Sequence, residues 1–207
     1  MDITDRFAEL VRGPERWCRL DEAAVLVAAH ARRDLDVDEQ LARLDDLAAG
    51  CRGATLGAVT AHLFGDLGFG GDTADYSNPR NSLLDEVLDR RRGIPITLSV
   101  VLIEVARRLS VELQGVGMPG HFLVRSAADP DLFVDPFNQA TLDRAGCEKL
   151  FATLHGPRAR FDDRYLDPVG PRAVIARTLT NLHRSFVGRG DRAGALWAQC
   201  LRVLVPG

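Results

Sequence analysis

The feature that most constrains this fold is an apolar helix, residues 95–109, followed by a His and an Asp on successive strands. Pro95 opens the helix without losing a hydrogen bond, because the N–H of a first helical residue has no partner in the helix. Leu98, Val100, Val101, Leu102, Ile103, Val105 and Ala106 then occupy every side of it. A helix that is apolar all round is a buried one, so this segment is expected at the centre of the fold. Arg107 and Arg108 close it at the end where the helix dipole favours cations.

Strands are expected over residues 112–117, 121–126 and 132–136. Ala127-Ala128-Asp129-Pro130-Asp131 turns the last two into a hairpin. Pairing about a turn centred near residue 128 or 129 sets His121 opposite Asp135, or one diagonal step away, on one face of the sheet. A carboxylate at that position orients the imidazole ring.

The flanking sequence is mostly helical. Residues 4–12 and 20–50 read as helices, with an acidic first turn at Asp21-Glu22 and a second start at Leu35-Asp36-Val37-Asp38. Leu41, Leu44 and Leu47 form one stripe. A helix over residues 54–67 gives way to Gly68-Phe69-Gly70-Gly71-Asp72, read as a loop. In the polar turn Ser77-Asn78-Pro79-Arg80-Asn81-Ser82, Asn81 or Ser82 is expected to cap the helix that carries Leu83, Leu84, Val87 and Leu88. Residues 171–187 and 191–204 read as two helices around Gly188-Arg189-Gly190-Asp191, a helical hairpin of tetratricopeptide type with Ala193, Ala195 and Leu196 at its small and apolar positions. One such unit cannot form an array, so it is expected to pack on the main domain. The resulting division is a helical segment 1–66, a core 67–168 and a helical tail 169–207.

Composition excludes several classes of function. A net charge of −3 over 207 residues gives no general attraction to nucleic acid or anionic membranes. The N-terminus has no signal-like start and no apolar run is long enough to span a bilayer, so the cytoplasm is the expected setting. Cys18, Cys51, Cys147 and Cys200 are widely spaced with no CxxC pair, and read as reduced packing thiols rather than a zinc or disulfide framework. Only one His and one Asp converge, so no metal is expected. The Gly68–Gly71 glycines lack the Lys-Ser/Thr that follows a phosphate loop, and no cofactor is expected.

Several words of this sequence, taken in order, resemble the SirB-type family of bacterial transglutaminase-like proteins. They are Leu35-Asp36-Val37, Leu67-Gly68-Phe69-Gly70-Gly71, Pro79-Arg80-Asn81-Ser82, Arg91-Arg92-Gly93-Ile94-Pro95-Ile96, Pro119-Gly120-His121-Phe122-Leu123-Val124-Arg125 and Phe133-Val134-Asp135-Pro136-Phe137-Asn138. The resemblance implies an α+β fold, a transglutaminase-like (papain-like) core with a buried helix on a small antiparallel sheet, flanked by helical additions and ending in a tetratricopeptide-like tail. It also implies a superfamily plan of Cys at the start of the central helix, then His and Asp on the following strands. His121 and Asp135 match the last two. The Cys position falls near Pro95, and the SirB-type branch commonly lacks that Cys. Asp72 stands where the closer family is expected to carry Asn.

Proline supplies no nucleophile, so the sequence favours a ligand-binding or regulatory module built on a His121/Asp135 pocket. Arg80, Asn81, Pro95, Arg125 and Asn138 are its candidate ligand-binding residues. Arg125 shares the alternation phase of His121 and would offer a carboxylate-binding fork on the same face. The alternative is an amide or acyl hydrolase or transferase, with His121 as acid/base and Ser99, Thr97 or a substrate nucleophile completing the reaction. The expected partners are a small molecule or peptide in the pocket, and a protein or a second copy on the helical tail.

Overall fold

A computed structural model describes residues 2–206, and the apolar stretch beginning at Pro95 is its central helix. The helices are α1 (Ile3–Arg12), α2 (Leu20–Ala31), α3 (Val37–Ala49), α4 (Leu56–Thr60), α5 (Leu84–Arg90), α6 (Pro95–Arg108), α7 (Arg144–His155), α8 (Pro171–Gly188) and α9 (Arg192–Leu204). A π-wound turn, Ala61–Asp66, continues α4. The strands are β1 (Gly70–Gly71), β2 (Arg92–Gly93), β3 (Leu113–Val116), β4 (Leu123–Ser126), β5 (Phe133–Asp135), β6 (Ala140–Leu142) and β7 (Pro168–Val169).

This is an α+β fold, with helices packed around a small antiparallel sheet of order β6-β5-β4-β3-β7. Side chains of α6 are buried from Pro95 through Ala106, including Thr97, Ser99 and Glu104, as its all-round apolar character requires. Alternation along the strands gives the sheet two covered faces. Phe122, Val124 and Val134 join the main core with α6, whereas Val116, Leu123 and Phe133 join a second cluster with Cys147 and Phe151 of α7.

One apolar core crosses both boundaries read from the sequence. Phe7 and Val11 of α1, the alanine-rich α2, and Val174, Ile175, Leu179 and Leu182 of α8 all belong to the cluster that surrounds α6. Charge reinforces the seam between α2 and α6. The fully buried Asp21 carboxylate accepts from Arg107 at 3.0 Å and Arg108 at 2.9 Å.

Three local expectations are corrected. Pro79–Ser82 winds into a 3₁₀ turn, so Asn81 and Ser82 end one turn too early to cap α5. Leu83 stands at that N-cap without a side-chain bond, while Asn78 caps the 3₁₀ turn. Gly70–Gly71, read as loop, pairs in parallel with Arg92–Gly93. His121 lies in the turn before β4 rather than within the strand.

Candidate functional site

The turn that carries His121 follows from its sequence. Pro119 and Gly120 occupy the central positions between Met118 and His121, the His121 N–H donates to Met118 O at 3.1 Å, and Gly120 takes φ +76°. Proline followed by a positive-φ glycine is the preference of a type II turn. Arg177 of α8 fastens this turn from outside, its Nη2 donating to Met118 O at 2.9 Å and to His121 O at 2.6 Å.

Asp135 ends β5 and is 1% exposed. Its Oδ1 accepts the N–H groups of Phe137 and Asn138, both at 3.1 Å, the local bonding an aspartate uses to start a turn. Its Oδ2 accepts from Asn138 Nδ2 at 2.7 Å and lies 2.9 Å from His121 Nε2. The two atoms are close, but the ring N–H is not aimed squarely at that oxygen, so the contact is a poorly directed one. Burial pushes the Asp135 carboxyl up. The close His121 ring, with the Asn138 bonds, outweighs that and holds it below the usual range. The register pairs Val124 with Val134, which brings the turn ahead of β4, and His121 with it, beside the end of β5 at Asp135.

His121 opens onto a cavity of about 960 Å³, whose lining includes Ile94, Pro95 and Ile96 at the tip of α6. Its Nδ1 makes no hydrogen bond among the described residues. Imidazole and carboxylate thus meet beside the first turn of the buried helix, with one ring nitrogen held and the other uncommitted. Such a ring can accept, hold or donate a proton at Nδ1.

The other sequence candidates divide. Pro95 lines the cavity with His121, and Asn138 holds Asp135. The Thr97 hydroxyl donates to Asn81 O at 2.6 Å and the Ser99 hydroxyl to Pro95 O at 2.8 Å; both are buried and outside the cavity lining. Asn81 is fully buried, donating to Asp75 O and accepting from Arg90, so it anchors the loop that presents Tyr76 and Ser77 to the cavity. Arg80 is exposed and pairs with Glu86 at 2.7 Å. Asp72 accepts from the Asp75 N–H and sits 3.6 Å from Arg90.

Arg125 corrects an expectation. It does not line the cavity, and its Nε is buried without a partner. Alternation holds inside β4, but His121 lies in the turn ahead of it, so the shared phase gives no shared face. What the sequence reading missed is the face of α8, including Arg177, that forms one wall of the cavity. The available signal was three arginines and no acidic residue between Pro171 and Gly188 in a chain of net negative charge.

None of the cysteines lines the cavity. Cys147 lies in the second core cluster, where burial first and then the charges of Asp143 and Asp135 push its thiol up to about 12. Among the described residues no helix is long and apolar enough to cross a membrane.

Phe137 closes one side of the site, edge-on to His121 with ring centroids 6.3 Å apart. A Cβ on Gly71 would meet the Phe137 ring at 2.6 Å. Gly71→Ala is therefore expected to push Phe137 against His121 and to cost about 1–3 kcal/mol by overpacking. Urea denaturation measures the cost, and the His121 ring resonances report the shift.

A buried helix, a following antiparallel sheet and a His–Asp pair at the helix tip are the parts of a transglutaminase-like domain. The chain belongs to the transglutaminase-like superfamily, whose family model matches residues 19–180. It is similar to the UPF0162 protein of Xylella fastidiosa, 42% identical over 158 residues, 73% of this chain and 56% of that protein. It is also similar to a UPF0162 protein of Pseudomonas aeruginosa, 34% identical over 182 residues, 87% of this chain and 66% of that protein. This chain thus spans between half and two thirds of these relatives' length. A shorter similarity reaches human F-box only protein 21, 43% identical over 70 residues, 34% of this chain and 11% of that protein. No solved structure matches.

Proposed function

We propose that this protein is a ligand-binding or regulatory module of SirB type, a transglutaminase-like domain that works without a thiol nucleophile. The observation that carries the reading is the His121–Asp135 pair opening onto a cavity at the tip of α6, where Pro95 occupies the first helical position. The cavity receives a small molecule or a peptide. A tetratricopeptide-like tail of α8 and α9 offers a partner protein or a second copy a helical surface, in a cytoplasmic setting.

A second reading, amide or acyl chemistry with His121 as acid/base, draws on the uncommitted Nδ1. Against Ser99 and Thr97 as its nucleophiles stands the commitment of both hydroxyls to backbone carbonyls, Ser99 to its own helix in the ordinary way of a helix hydroxyl and Thr97 across to Asn81. That reading therefore needs a nucleophile carried by the substrate or another group.

Fluorophosphonate and iodoacetamide probes separate the two readings. The non-catalytic module shows no fluorophosphonate adduct, and iodoacetamide reaches the exposed Cys200 while sparing the buried Cys147. A fluorophosphonate adduct on Ser99 or Thr97 that disappears in His121→Ala would overturn the non-catalytic reading.

A further inference from the structure

The cavity beside His121 has one strongly basic wall. Pairs of residues recurring every four along α8, from Arg172 to Ser185, face it, and α9 adds Arg202. Its lining thus holds Arg172, Arg177, Arg184 and Arg202 against one carboxylate, Glu15.

Elsewhere this protein pairs many of its arginines with acids: Arg32 with Asp85, Arg108 with Asp21 and Asp45, Arg144 with Asp163, Arg189 with Asp75. None of the four cavity arginines forms an ion pair among the described residues. Arg172 donates to Gly13 O and leaves its Nε buried without a partner. Arg177 is fixed by the carbonyls of Met118 and His121 and stacks over Phe122 at 5.5 Å. Arg202 has a single bond, to Val205 O at 3.3 Å, and Arg184 has none among the described residues. Burial, then the like charge of Arg184, disfavours the charged form of Arg177, an effect its interaction with Tyr76 only partly offsets. Four like charges gathered in one concavity against a single carboxylate repel one another and draw in an anion. Guanidinium groups match carboxylate and phosphate oxygens two at a time. Ile94, Pro95, Ile96 and Phe122 on the same lining suit an apolar body attached to the anionic group.

We infer that the ligand of this cavity is an anion with an apolar body, a carboxylate or phosphate ester held by Arg172, Arg177, Arg184 and Arg202 next to His121. The inference rests on the ligand-binding reading above and narrows it to a chemical class.

Three probes sharing one aromatic body test it: phenylacetate, phenyl phosphate and the neutral phenylacetamide. Each is titrated at constant ionic strength into the full chain while the His121 ring resonances are followed by NMR. At least one anion is expected to bind about ten-fold or more tightly than phenylacetamide, as one charge-assisted contact provides. The comparison of the two anions assigns the headgroup. Arg184→Gln with Arg202→Gln, which leaves Arg172 and the Arg177 clamp on the His121 turn intact, is expected to weaken the preference several-fold. Far-UV circular dichroism checks that the double variant is folded. If phenylacetamide binds as tightly as both anions, or the double variant keeps the preference in full, the anion assignment is wrong while the pocket stands. If none of the three moves the His121 resonances, both the assignment and the pocket reading fall.

Discussion

Asp135→Ala is expected to destabilise this protein by about 3–5 kcal/mol at neutral pH, the range for breaking a buried pair by removing one partner. Its carboxylate holds His121 Nε2, the Asn138 side chain and the backbone N–H groups of Phe137 and Asn138 at once. The substitution leaves the buried His121 ring without its partner and unties the turn at Phe137 and Asn138. The effect carries a pH signature. Folding lowers the pKa of this carboxyl from its ordinary 3.8, because the His121 contact and the turn bonds overcome burial. A lowered carboxyl pKa adds stability that is fully present above the unfolded value and is lost as pH falls through the folded value. The gap between wild type and Asp135→Ala should therefore be widest above 3.8 and close as acid protonates the carboxylate. Urea denaturation at a series of pH values measures it. A gap that stays constant into strong acid would show that the carboxylate's charge contributes nothing.

Leu98→Ala is expected to cost about 3–5 kcal/mol, the upper part of the range for truncating a fully enclosed leucine. Leu98 has no exposed surface, and a Cβ on Gly93 would already lie 3.3 Å from its Cγ, so the space around it is filled. The residue sits one turn inside α6, where α5, β2 and the main core meet. The surroundings can close the void only by moving the helix tip that borders the cavity. This loss is one of packing, so it should be nearly the same at every pH where the protein is folded. The contrast with Asp135→Ala separates apolar from electrostatic stabilisation. A cost below about 1 kcal/mol would mean that the core around α6 can relax, against its close packing.

Local physics made much of this fold legible. The apolar run after Pro95 needs no partner information to be read as a buried helix, and it ends at Arg108, one residue short of its expected end. The hairpin register follows from the turn at Asp129-Pro130, and it brings His121 and Asp135 together. Other features depend on distant segments. Asn81 and Ser82 look like cap residues because their side chains are short and polar, yet Pro79 winds them into an earlier turn. Arg125 looks like a neighbour of His121 only while the strand is taken to extend back to residue 121; the Pro119-Gly120 turn interrupts the pleat. The α8 wall of the cavity is the largest omission. Periodicity shows that α8 has an apolar face, but not that its arginine face covers a turn some sixty positions earlier in the chain. That contact is purely tertiary.

The most direct test of the central placement is a long-range ¹H–¹⁵N correlation spectrum of histidine-labelled protein, recorded at a pH where the His121 ring is neutral. Nε2 faces the Asp135 carboxylate and Nδ1 is unbonded, so the proton should reside on Nε2 with Nδ1 as the bare nitrogen. A neutral His121 ring carrying its proton on Nδ1 would contradict the account, because the nitrogen turned toward Asp135 would then have no proton to share with it.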